Sequence, residues 1–339
     1  MKLFSSLYPF LRFFLFLSDP EILHEKVGLL LRVRHFLRRW LPYKSTARTQ
    51  FAGKPLFSSV GIAAGYDKYG KLFPALMDLG FATVETGTFT PYPQNGNPRP
   101  RILRLPSEHA IVNKMGFNNP GIEKGWKEIK KGLRKIPPNA AIGISIGKGK
   151  DTSLENAVDD YKFCLDVIQS DLLPEEEKKI LYIAINISSP NTPELRKLQS
   201  RGYIGDLVRK VVKVSQFPVL VKLAPDFDTD EEFTQAIESI ISNGAYGIII
   251  SNTTVNYADA GKKADAAKNF GGGLSGKPLR ERAEYLLQLA RNAAGPDIPL
   301  ISSGGVMSPQ DIQKRLSMGA NLVQVYSGFI YFGPSIAHY

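Results

Sequence analysis

The sequence predicts an α/β fold, a parallel (β/α)8 TIM barrel preceded by a helical N-terminal extension. Three observations predict it. Eight short β-rich runs recur from residue 58 onward, helical stretches separate most of them, and polar residues collect at the C-terminal ends of the runs. Such barrels carry their chemistry at that end. An open doubly wound sheet is the alternative for the same alternation. A chain of 339 residues accommodates one barrel and an extension.

The first 44 residues form the expected extension, with the barrel over 45–339. "LFSSLYPFLRFFLFL" is strongly apolar, but Pro9 and Arg12 interrupt it. It falls short of the ~20 residues that span a bilayer and has no small-residue cleavage site. Asp19 then reads as a helix N-cap with Pro20 at the first helical position. Leu23, Val27, Leu30, Val33, Leu37 and Trp40 follow at the spacing of one helical face, with Arg32, Arg34, Arg38 and Arg39 on the other side.

Net charge is +11, and residues 1–50 hold nine basic residues against three acidic, over half of that excess. Apolar faces with cationic flanks predict a segment lying on an anionic membrane surface. The competing reading is a helical hairpin packed on the barrel. Nucleic acid is not expected as a partner, because the aromatic residues form an apolar block instead of alternating with basic ones.

The strand runs are "VGIAAG" near 60, "ATVETGT" near 84, "AIGISIG" near 144, "LYIAINI" near 184, "PVLVKLA" near 221, "YGIIISN" near 249, "PLISSGG" near 301 and "NLVQVYSG" near 324. Helices are expected over 121–135, 154–169, 230–243, 278–293 and 308–318. Six strand endings are polar ("AAGYDK", "ETGT", "NISS", "SNTT", "SSGG" and "YSG"), which implies a pocket.

In "VLVKLAP", Val219, Val221 and Leu223 alternate with Leu220, Lys222 and Ala224, so Lys222 points into the barrel if the valines face the helices. A lysine there meets an anion or a strand-end carboxylate such as Glu85. Gly304-Gly305 and Ser327-Gly328 follow the last two strands, where barrels bind phosphate through backbone amides.

Composition is 43% hydrophobic and 22% charged, as in a globular protein. A single cysteine, Cys164, excludes an intramolecular disulfide, and four histidines without close spacing give no metal site. A reducing, cytoplasmic setting follows.

The motifs "VGIAAGYDKYG", "ETGTFTPYPQNGNPRPRILRL", "NKMGFNNPG", "NISSPNTPELRKLQ", "VKLAPD", "SNTT", "GGLSGKPL" and "VQVYSGFI", in this order, resemble the class 2 dihydroorotate dehydrogenases, which are membrane-associated and quinone-dependent. The resemblance runs from about residue 19 to 334. It implies FMN and the oxidation of dihydroorotate to orotate in pyrimidine synthesis, on the cytoplasmic side of the cell inner membrane, by a peripheral monomer.

By the same resemblance FMN is held by Ala64, Lys68, Thr88, Ser145, Asn186, Lys222, Ser251, Gly276, Gly305, Tyr326 and Ser327. Dihydroorotate or orotate is held by Lys68, Asn113, Lys114, Met115, Gly116, Phe117, Asn186, Asn191, Asn252 and Thr253. His24 and Arg104 contact the quinone head. Ser189 is the base that takes a proton from C5 as a hydride leaves C6. The cysteine that class 1 enzymes carry at that position is absent, Cys164 lying in the helix before strand four.

The chain departs from the family pattern at Lys114, Ser145, Gly149 and Ser302-Ser303. Two other readings stay open at this level: a phosphate-binding barrel with Lys222 as a Schiff-base nucleophile, and a catalytically idle membrane-bound protein that binds a nucleotide-like ligand.

Overall fold

The computed structural model describes residues 2–38, 45–192 and 194–338. Its strands are β1 (Thr49–Phe51), β2 (Lys54–Leu56), β3 (Val60–Asp67), β4 (Thr83–Phe89), β5 (Ile102–Leu105), β6 (Ala110–Asn113), β7 (Ala141–Ile146), β8 (Ile180–Asn186), β9 (Val219–Leu223), β10 (Gly247–Ile250), β11 (Gly273–Gly276), β12 (Leu300–Ser303) and β13 (Leu322–Val325). The eight predicted runs are β3, β4, β7, β8, β9, β10, β12 and β13. They close into one barrel in that order, every neighbouring pair parallel.

The expected helices are present at Ile122–Leu133, Ala157–Gln169, Asp230–Ser242, Arg280–Ala294 and Pro309–Ser317. Two of them begin where a side chain satisfies a free amide. Thr229 Oγ1 accepts from the Glu232 amide at 3.1 Å, and Ser308 Oγ from the Asp311 amide at 3.2 Å. Caps of this kind contribute about 1 kcal/mol each.

Strand alternation sorts side chains as the period of two requires. Val219, Val221 and Leu223 pack outward with helix residues such as Leu207 and Phe233, whereas Leu220 faces inward with Ile249, Ile301 and Leu322. A hairpin of β1 and β2 closes the bottom of this interior with Phe51 and Leu56. Above that apolar layer lie Glu85, Tyr182, Lys222 and Gln324, each no more than 3% exposed. Gly143, between Glu85 and Tyr182 in the strand register, makes room for the tyrosine: a Cβ there would stand 2.4 Å from the Tyr182 ring.

The sequence reading missed β1–β2 and the antiparallel sheet β5-β6-β11 that stands over the barrel mouth. These are three- and four-residue strands, too short for periodicity to reveal.

The extension forms two helices, α1 (Lys2–Phe16) and α2 (Pro20–Arg38). Asp19 caps α2 as expected, its Oδ1 accepting from the amides of Glu21 at 2.9 Å and Ile22 at 3.0 Å. The docking side mixes apolar and polar contacts: Leu31 packs on the barrel core, and polar groups flank it. Glu21 meets Arg101 at 2.6–3.1 Å, His35 Nδ1 meets Asp78 Oδ2 at 2.8 Å, and Gly28 lets α2 lie against Leu72. α1 is held by Tyr8, donating to the Ile330 carbonyl, and by Arg12, donating to the Tyr331 carbonyl, both at 2.7 Å.

Of the face the sequence marked as apolar, Leu23 and Val27 are half-buried while the later part is turned outward: Leu30 is 68% and Leu37 69% exposed, and Phe10, Phe13, Phe14 and Leu17 of the first helical segment and its end are exposed too. Each such side chain forgoes roughly 1.5–3 kcal/mol of burial. Trp40 and Arg39, on the same expected helix, lie outside the described residues. No helix among the described residues is long and apolar enough to cross a membrane.

Candidate active site

The C-terminal strand ends and the sheet β5-β6-β11 enclose a cavity of about 1190 Å³, counting its open mouth. Backbone geometry shapes its wall. Gly276 has φ of +96° and Gly305 of +72°, and a Cβ at either would fall 2.2 Å from backbone atoms of His109 or Arg280. Side chains are therefore barred and the bare backbone faces inward. Ser275, Gly304 and Ser327 continue this wall.

The loop after β3 carries Lys68. It is fixed by buried Asp67, which accepts from the amides of Lys71, Leu72 and Phe73 at 2.8–2.9 Å. Lys68 donates to the Gly65 carbonyl at 2.6 Å. Burial pulls its ammonium down to about 8, with Glu21 opposing that shift and Arg101 reinforcing it.

Ten of the eleven positions expected to hold FMN line this cavity: Ala64, Lys68, Thr88, Asn186, Lys222, Ser251, Gly276, Gly305, Tyr326 and Ser327. The structure places the eleventh, Ser145, behind the wall. It is fully buried, with its hydroxyl 2.8 Å from Thr88 Oγ1, and Asn186 Nδ2 donates to that same Thr88 oxygen at 2.8 Å. Ser145 therefore orients Thr88. Asn113, Met115, Gly116, Phe117, Asn191, Asn252 and Thr253 also line the cavity. Lys114 does not; it turns to the Phe270 carbonyl at 3.0 Å and stacks over the Phe270 ring.

The two serines of "NISSPNTP" part company here. Ser188 is fully buried, donates to Asn186 Oδ1 and accepts from Asn252 Nδ2, both at 2.9 Å. Ser189 lines the cavity, its oxygen accepting from the Asn191 amide at 3.3 Å. Asn191 Nδ2 in turn reaches the Asn113 carbonyl at 3.1 Å, tying the serine loop to the sheet above. Pro193, which ends this motif, is outside the described residues.

Lys222 Nζ is 3.1 Å from Glu85 Oε1, so the lysine both faces the cavity and meets the carboxylate anticipated from the strand pattern. Its nitrogen is thus engaged by a carboxylate, whereas a Schiff-base lysine needs that nitrogen free to attack. Gln324 was missed, although it shares the inward face of the last strand with Leu322 and alternates with Val323 and Val325. Its Nε2 donates to Glu85 Oε2 at 2.7 Å, and its buried Oε1 has no hydrogen-bond partner among the described residues.

His24 and Arg104 stand apart from the cavity, at the extension. The His24 ring packs edge-on against Tyr66 at 4.7 Å, and Tyr66 against Tyr326 of the cavity wall at 5.7 Å. Burial, with the Lys68 charge, pushes His24 down to about 4, leaving a neutral imidazole. Arg104 stacks over Phe16 at 4.5 Å and donates to the Ser18 carbonyl. Ile102 and Ile330, beside these groups, line the cavity from the extension side.

A family profile described as Dihydroorotate dehydrogenase matches residues 46–339. The chain belongs to the dihydroorotate dehydrogenase family. A relative from Chromobacterium violaceum, named dihydroorotate dehydrogenase (quinone), is 39% identical over 342 residues, covering 97% of this chain and 95% of the relative. Another of that name, from Legionella pneumophila, is 38% identical and covers 98% and 97%. Among solved structures, DHODH from Eimeria tenella in complex with ferulenol superposes with a TM-score of 0.81 at 32% identity, covering 94% of this chain and 89% of that one. The dihydroorotate dehydrogenase match thus embraces the barrel, and the full-length relatives extend it across the N-terminal helices.

Proposed function

We propose that this chain oxidises dihydroorotate to orotate with FMN as its flavin, and passes the electrons to a membrane quinone, a step of pyrimidine synthesis. The observation that carries this reading is the convergence of Ser189, Lys68, Lys222 and four asparagines (Asn113, Asn186, Asn191 and Asn252) on one cavity of a chain whose full-length relatives bear the quinone-dependent name.

The residues fit FMN. The glycine-walled side of the cavity, with Ser327, offers bare backbone and a hydroxyl for a phosphate; Lys222 offers a cation; and the unpartnered Gln324 Oε1 offers an acceptor. When bound, FMN supplies the hydride acceptor for C6 of the substrate.

The chain's own groups do the rest. Lys68 meets the substrate carboxylate, and the asparagine amides, each both donor and acceptor, match a ring of alternating carbonyls and N–H groups. Ser189 takes the C5 proton. A serine is a weak base, so it acts within an enclosed site and hands the proton on through a neighbouring hydroxyl or water. Ser188 keeps Asn186 and Asn252 in place.

Residues 1–44 form the quinone and membrane segment in this reading. Its exposed leucines and phenylalanines rest in the interface of an anionic membrane, peripherally and on the cytoplasmic side of the inner membrane. His24 and Arg104 meet the quinone head, and Tyr66 and Tyr326 link His24 to the cavity wall. The protein acts as a monomer, without nucleic acid.

The test is direct: purified protein is yellow, with about one noncovalent FMN per chain, and its flavin bleaches anaerobically on adding dihydroorotate and recovers its colour on adding a quinone. A colourless protein that takes up no FMN on reconstitution overturns the reading.

A further inference from the structure

Beneath the cavity floor lies a closed set of four buried groups. Glu85 Oε1 is 3.1 Å from Lys222 Nζ, and Glu85 Oε2 accepts from Tyr182 Oη at 3.0 Å and from Gln324 Nε2 at 2.7 Å. Gln324 Nε2 also lies 2.9 Å from the Tyr182 oxygen. Lys222 and Gln324 line the cavity; Glu85 and Tyr182 stand one layer below them. Glu85 is fully buried and carries the opposite sign to Lys222.

Two consequences follow for anything bound above. First, the field of the Lys222 ammonium at the cavity is partly cancelled by a carboxylate behind it, and in a dry interior such a charge acts over several ångströms with little screening. Second, a carboxylate only accepts hydrogen bonds, so Glu85 claims the NH2 end of the Gln324 amide and leaves Oε1 as its unpartnered end. One residue thereby governs both the charge and the hydrogen-bonding character of the floor.

We propose that Glu85 is a positioning residue that sets the reduction potential of the flavin, holding it below the value that Lys222 alone would impose. This rests on the flavin reading above. Electrons added to the ring bring negative charge, which Lys222 stabilises; Glu85 tempers that stabilisation, so that the reduced ring still gives its electrons up to an acceptor.

The experiment is a dye-coupled potentiometric titration of the FMN-loaded protein, beginning with flavin stoichiometry in the native chain. Failure there rejects the flavin reading itself. Glu85→Gln keeps the shape and removes the charge. The expected result is retained FMN and a reduction equilibrium displaced at least ~10-fold toward the reduced form, about 30 mV upward for a two-electron couple. Tyr182→Phe, which keeps the carboxylate, should displace it less than ~3-fold. Glu85→Ala, with space for water at the carboxylate position, is the second charge-removing variant. The proposal is overturned if either variant holds FMN at the native potential. It is equally overturned if neither variant yields a folded, FMN-binding protein, because the carboxylate is then a requirement of the barrel itself.

Discussion

The Ser188 hydroxyl lies 2.9 Å from the side-chain nitrogen of Asn252, sixty-four residues further along the chain. That bond, with the one to Asn186, commits Ser188 to holding two cavity amides and leaves the next residue, Ser189, to face the ligand. Ser189→Ala is expected to keep its flavin and slow its reduction by dihydroorotate at least ~100-fold, the lower range for loss of a positioned base. Ser188→Ala should act mainly on substrate affinity. Anaerobic stopped-flow bleaching of the flavin separates the two, and an unchanged rate in Ser189→Ala would make that serine structural.

Lys68 gives a pH dependence with a definite sign. Burial lowers it to about 8, so it is mostly charged at pH 7 and loses its charge as pH rises through that value. Orotate binding, read from the flavin spectrum, should be flat below about pH 7 and weaken by up to roughly tenfold per unit above about 8. Lys68→Met should bind weakly at every pH. A native profile flat to pH 9.5 would remove Lys68 from the carboxylate.

The grip of α2 on the barrel includes a buried ion pair, Glu21 with Arg101. Burial alone would raise the Glu21 carboxyl, but Arg101, Arg99 and Lys68 hold it below its ordinary value. Its contribution is thus present above the ordinary carboxylate range and lost as pH falls below that range through the lowered value of the folded protein. Glu21→Gln leaves Arg101 buried without its charge partner, costing about 3 kcal/mol. If that cost falls on local opening, hydrogen exchange of residues 20–38 should speed up roughly 100-fold while the barrel strands keep their protection. Equal loss of protection in both would mean that the extension is part of the barrel's own stability.

Membrane affinity should track the outward leucines. Leu30→Glu with Leu37→Glu is expected to abolish sedimentation with anionic phospholipid vesicles while leaving FMN content and flavin reduction by dihydroorotate unchanged. Removing residues 1–44 should do the same and also impair quinone reduction. Retained vesicle binding with full quinone turnover would refute the doorway role of the extension.

The barrel was legible because parallel strands buried on both faces read as short apolar runs, and because polar endings repeat only where a site needs them. The period of two placed Lys222 inward, and the same rule would have found Gln324. The sheet β5-β6-β11 was not legible: Ile111 pairs with Ser275, 164 residues away, and four-residue strands carry no local sign of such a partner. Nor could motif position alone separate Lys114 or Ser145 from their cavity-lining neighbours: the first turns to Phe270, and the second, although the pleat points it inward like Ala141, is engaged by Thr88, which lines the cavity in its place. The docking face of α2 was hidden because Glu21, His24, Gly28 and His35 share it with Leu31, and polar residues and glycine ordinarily mark a solvated side.

The contact between Gly143 and the Tyr182 ring bears on how this chain can change over generations. Position 143 admits no side chain while the tyrosine stands beside it, and Tyr182 in turn supports Glu85. Substitution at the pair therefore has a direction: the ring must shrink before the glycine can grow, and every lineage that takes that path passes first through a protein whose carboxylate has lost a donor.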